Sequence, residues 1–79
     1  MKKSELQEKF RVALEWRSNE LRKDARMNDQ ISGLLMYGEI CGVASAMRVM
    51  GLVDHDEEHS IREQAWALYE GKELVHEVC

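Results

Sequence analysis

The sequence predicts an all-α protein, a compact three-helix antiparallel bundle with a central apolar helix, expected to pair with a second copy of itself. Three observations carry that expectation. The 79 residues include no proline, and nowhere do apolar and polar side chains alternate as they do in a half-buried strand. Apolar residues instead recur three or four apart in three separate stretches. The breaks between those stretches hold the residue types that start and stop helices.

The first helix is expected over 5–26. Ser4-Glu5-Leu6-Gln7 fits a capping box, in which the serine hydroxyl and the Gln7 side chain each satisfy a free backbone donor. From there Leu6, Phe10, Ala13, Leu14, Leu21 and Ala25 form one stripe. Arg17 sits inside it, its stem expected to pack and its head to reach the edge. Arg11, Glu15, Arg22 and Arg26 make the solvated side. Asn28-Asp29 breaks the pattern and supplies a cap for the next helix.

The second helix is expected over 30–50. Gly51 can take the left-handed position after its end, and Leu52 and Val53 can fold back as the accompanying apolar contact. The third is expected over 55–70. Asp54 and Glu57 have capping-box spacing, and Asp56, Glu57 and Glu58 suit the positive end of the helix dipole. Ile61, Ala65, Leu68 and Tyr69 form its buried stripe, and a helical extension over 72–78 is left open. The short connections imply that neighbouring helices run antiparallel.

A chain of this size is read as one domain, 1–79. So small a core gives marginal stability unless a disulfide, a metal, very good packing or association supplements it. The two cysteines, Cys41 in an apolar stretch and Cys79 at the last position, do not suggest a disulfide framework, and the polar start Met1-Lys2-Lys3-Ser4-Glu5 does not read as a signal peptide. A cytoplasmic protein with free thiols is expected. No membrane span is expected either, because Glu39 and Arg48 interrupt the most apolar region, Ile31 to Val53.

The net charge is −4, and it is unevenly spread. Residues 1–26 carry a balance of +3 and residues 49–79 a balance of −6. An acidic chain is poorly suited to neutralising phosphates. If the second and third helices formed a DNA-reading pair, Asp54, Asp56, Glu57 and Glu58 would meet the backbone of the nucleic acid. Direct nucleic-acid binding is therefore not expected.

The middle helix is the unusual element, because it is apolar on two sides. At about 100° per residue, one side presents Ile31, Leu35, Gly38, Gly42, Ser45 and Val49. The other presents Met36, Ile40, Val43, Met47 and Met50. A helix in a three-helix bundle needs one apolar face, so one of these is surplus. Gly38, Gly42 and Ser45 lack bulk and are read as a place of close helix packing, since glycine inside a helix costs about 1 kcal/mol relative to alanine. The methionine-rich side is adaptable, and Met36, Ile40, Val43 and Met47 are assigned to a partner. Val12 and Trp16 on the first helix and Trp66 on the third lie off the main stripes and join that assignment, tryptophan being enriched among interface hot spots.

Patterns that resemble chemistry are few. His55-Asp56-Glu57-Glu58-His59 matches the H-x-x-E-H arrangement of inverted zinc proteases, but it falls on the entry turn of a short helix whose acids capping already explains. His55 and His59 remain a minor candidate for a metal or ligand sensor with an acidic third ligand. Cys41 on an apolar helix reads as a small hydrophobe, and no glycine-rich phosphate loop is present. Neither a catalytic residue nor a cofactor is assigned. The expectation is a non-enzymatic, protein-binding regulator and homodimer. Small acidic helical proteins of bacteria and their mobile elements often act in this way, as inhibitors, antirepressors or adaptors.

Overall fold

Three helices account for all the regular structure in the computed structural model, which describes residues 2–71: α1 (Lys3–Arg26), α2 (Gln30–Val49) and α3 (His55–Tyr69). No strand occurs among the described residues. The extension considered over 72–78, together with His76 and Cys79, lies outside them.

The helix ends follow from the side chains placed there, with one correction. α1 starts at Lys3, its N-cap is Lys2 in extended conformation, and no side chain caps it. Ser4 is already inside the helix, so the expected Ser4–Gln7 capping box does not form. A cap residue must hold non-helical backbone angles for its oxygen to reach the third amide. Lys2 and Lys3 carry the helix back past the serine, and the Leu6 amide donates to the Lys2 carbonyl at 3.1 Å.

The other two starts are as read. The Ser32 amide donates to Asp29 Oδ1 at 3.1 Å. At α3 the box is reciprocal, the Glu57 amide donating to Asp54 Oδ1 at 2.8 Å and the Asp54 amide to Glu57 Oε1 at 3.1 Å.

Both turns between helices use the same closing device. After α2, the Leu52 amide donates to the Met47 carbonyl and the Gly51 amide to the Arg48 carbonyl, at 2.9 and 3.1 Å. This is the Schellman pattern, and it needs a left-handed residue, here Gly51 at φ 73°. After α1, the Asp29 amide reaches the Asp24 carbonyl and the Asn28 amide the Ala25 carbonyl. Asn28 takes the left-handed position there at φ 59°, a conformation asparagine tolerates better than most residues.

Leu21 and Ile40 are fully buried at the centre, with Ala65 and Leu68 beside them. Leu14, Met36, Tyr37, Ile61 and Tyr69 pack around that cluster. All three helices thus contribute to one core. At Gly33 the Tyr69 side chain packs directly on the backbone of α2: a Cβ there would stand 3.2 Å from the Tyr69 ring. Arg17 packs its stem as expected and donates to Glu39 Oε1 at 3.1 Å and to the Ala13 carbonyl at 3.2 Å.

Candidate interaction surface on the second helix

α2 has two apolar sides, and the bundle uses the one that had been assigned to a partner. Ile40 is 1% exposed and Met47 8%, while Met36 and Val43 are half-buried. The reason is volume. The interior between α1 and α3 must be filled to near-crystalline density, and the α2 side chains that pack with Leu14, Leu21, Ile61 and Leu68 are Ile40, Met36 and Tyr37. Glycines facing inward would leave a void. Met36, Ile40, Val43 and Met47 are therefore corrected from partner contacts to core and core-edge residues.

The opposite side is open. Ile31 is 78% exposed, Leu35 67% and Val49 86%, and Leu34 is about half exposed. Between them, a Cβ added to Gly38 or Gly42 would meet nothing within 4 Å. The expected close crossing at these glycines is absent among the described residues. Ser45, the third small residue of that set, is half-buried for another reason. Its hydroxyl donates to Glu58 Oε2 at 3.3 Å and accepts from Arg62.

That contact belongs to a polar seam between α2 and α3. Arg62 also donates to Glu58 Oε2 at 3.1 Å, and Arg48 to Glu58 Oε1 at 3.2 Å. Hydrogen bonding from Arg62, assisted by Ser45 and the charge of Arg48, holds the Glu58 carboxyl below the usual range, and Glu58 in turn raises Arg62. The sequence reading did not single out Arg62, although Glu58 and Arg62 stand at i,i+4 on one helix, a spacing that favours ion pairing. It also passed over Leu34, which sits one turn beyond Ile31 on the open side, and Gly33.

The remaining candidates fall into two places. Val12 and Trp16 are each about half exposed, one turn apart on α1. Arg17 lies 5.7 Å over the Trp16 ring and bonds to Glu39 on α2, so this pair adjoins the α2 side of the bundle. Trp66 is engaged instead in an aromatic group on α2 and α3. Its ring meets Tyr37 edge-on at 5.3 Å and Tyr69 at 5.2 Å, which makes it a lid on the core that still leaves one face outside.

The two histidines point to different neighbours. His59 Nε2 lies 2.7 Å from Glu63 Oε1. His55 Nδ1 lies 3.1 Å from a guanidinium nitrogen of Arg48, a cationic group that disfavours a metal ion at the same atom. Among the described residues, no three His, Cys, Asp or Glu side chains are grouped to hold a metal ion. No described helix is long and apolar enough to cross a membrane. Compared with known proteins, the chain matches no family model, no curated protein and no solved structure.

Proposed function

We propose that the chain is a non-enzymatic, protein-binding regulator of the inhibitor, antirepressor or adaptor type, working as a homodimer in the cytoplasm. The observation that carries this reading is the open side of α2. Large exposed apolar side chains gathered on one side of a helix mark interaction surfaces, and here Ile31, Leu34, Leu35 and Val49 lie exposed on one side of α2. In this reading α2 is the central apolar helix of an antiparallel bundle. Contacts that run in opposite order along neighbouring helices support that course: Arg17–Glu39 and Asp24–Gly33 between α1 and α2, and Ser45–Glu58 and Gly33–Tyr69 between α2 and α3.

Two further surfaces suit a regulated partner. Val12 and Trp16 supply an apolar anchor, and tryptophan at such a position is a frequent hot spot. The first turn of α3, with Asp56 and Glu57 exposed, is suited to a basic surface, including one that otherwise binds nucleic acid.

The test compares capture from the native host by the wild-type chain and by a Val12→Ser, Trp16→Ala variant of equal thermal stability. The reading expects one protein held by the wild type and depleted about tenfold or more with the variant, as loss of a hot spot worth 2 kcal/mol or so implies. Identical capture by both would contradict the assignment of Val12 and Trp16.

A further inference from the structure

Arginine and tryptophan already meet once on the surface of this protein. Arg17 lies 5.7 Å over the Trp16 ring, and its Nε donates to Glu39 Oε1 at 3.1 Å. The indole face takes the flat guanidinium and the carboxylate takes its N–H groups, a pairing that suits arginine better than lysine. The second tryptophan, Trp66, has the ring and the carboxylates of such a set. Its side chain is 43% exposed, and Tyr37 and Tyr69 hold the ring at 5.3 and 5.2 Å. Glu63 stands three residues before it and Glu70 four after, spacings that share one face of a helix. Tyr37, Glu63, Trp66 and Glu70 line one open cavity of about 540 Å3.

The cation is what α3 does not supply. Between Asp54 and Gly71 the chain carries six acids and one base, Arg62. Arg62 also lines the cavity, but its guanidinium is held against Glu58 and Ser45 in the seam to α2. Five of the acids, Asp54, Asp56, Glu57, Glu63 and Glu70, are exposed. His59 Nε2 lies 2.7 Å from Glu63 Oε1, which occupies one of the several lone-pair sites a carboxylate offers.

We propose that the exposed face of Trp66, between Glu63 and Glu70, seats an arginine side chain from a basic segment of the partner protein. The inference rests on the protein-binding reading above and gives that partner a chemistry. The guanidinium stacks on the indole and donates to the Glu63 carboxylate, as Arg17 does with Trp16 and Glu39. Charge and shape select this occupant. A phosphate-rich partner is repelled by the acids of α3. An apolar side chain would take carboxylates out of water with nothing to offset the loss. Lysine brings the charge but not the flat face that stacks on a ring. The remaining exposed acids of the helix steer a basic segment toward it.

The probe is a fluorescein-labelled peptide of alternating arginine and glycine, with lysine and glutamate counterparts, added to the full chain at low salt. Affinity is read by fluorescence polarisation, and the indole N–H resonances of both tryptophans are followed by NMR. The arginine peptide is expected to move the Trp66 resonance and leave that of Trp16, already paired with Arg17, in place. The lysine peptide should bind about fivefold more weakly, and the glutamate peptide not at all. Trp66→Leu and Glu63→Gln should each weaken the arginine peptide by about fivefold or more. Trp66 also packs on Tyr37 and Tyr69, so Glu63→Gln, at an exposed position, is the variant that separates binding from folding, its thermal midpoint matching the wild type. Equal affinity for the arginine and lysine peptides, or a Trp66 resonance that does not move, would reduce the effect to diffuse attraction and overturn the seat. Undiminished affinity in Glu63→Gln would overturn it too. Absence of binding by both basic peptides would overturn it while leaving the capture test on Val12 and Trp16, which alters neither Glu63 nor Trp66, to decide the wider reading.

Discussion

Glu58 shows how much one side chain can be asked to do at a helix start. It favours the dipole of α3, accepts from Ser45, and holds Arg48 and Arg62. Its side chain is only 15% exposed, so these partners are less screened than the surface pairs of Arg11 with Glu8 and Glu15. The carboxyl is held below its ordinary value in the folded protein, so its contribution to stability is present above the unfolded value and is lost as pH falls through the folded one. Thermal midpoints between about pH 5 and about pH 3 should therefore fall more steeply for the wild type than for Glu58→Gln. Parallel acid limbs for the two proteins would remove Glu58 from this account.

At the scale of elements, punctuation was legible because it is local chemistry. Asp29 and Asp54 cap the helices they were expected to cap, and Gly51 takes the left-handed turn. Gly51→Ala has space for its Cβ, so its cost is purely one of backbone conformation. It should lower the unfolding free energy by about 1 kcal/mol, measured by denaturant titration. Gly51→Asn should cost distinctly less, since Asn28 holds the equivalent position after α1. Equal losses from both would argue against the left-handed turn. Ser4 misled because a capping-box spacing does not say whether the helix has already begun, and two lysines before it extended α1 by a fraction of a turn.

The choice between the two sides of α2 was not legible for a different reason. Both are apolar, and periodicity alone ranks them equally. What decides between them is the volume that α1 and α3 leave to be filled, a property of three helices at once. Ile40, Met36 and Met47 have that volume, and Gly38 and Gly42 do not. The methionines suggested adaptability and therefore a partner, whereas here they fill the protomer's own interior. The glycines suggested an internal crossing and instead lie open.

For the whole molecule, then, the surplus apolar surface is real but sits on the side opposite to the one first assigned. A protomer of 9.2 kDa has a small core centred on Leu21, Ile40, Ala65 and Leu68. Covering Ile31, Leu34, Leu35 and Val49 would add apolar burial at about 25 cal/mol for each Å2, a large supplement for so small a fold. In the proposed reading the acidic start of α3 and the Val12–Trp16 pair meet the regulated protein. The central claim, that the chain works as a homodimer, is tested most directly by the molar mass of the wild-type chain in solution, measured by light scattering across a dilution series. The account predicts twice 9.2 kDa at high concentration, falling toward the protomer mass on dilution. A constant 9.2 kDa at every concentration would contradict it.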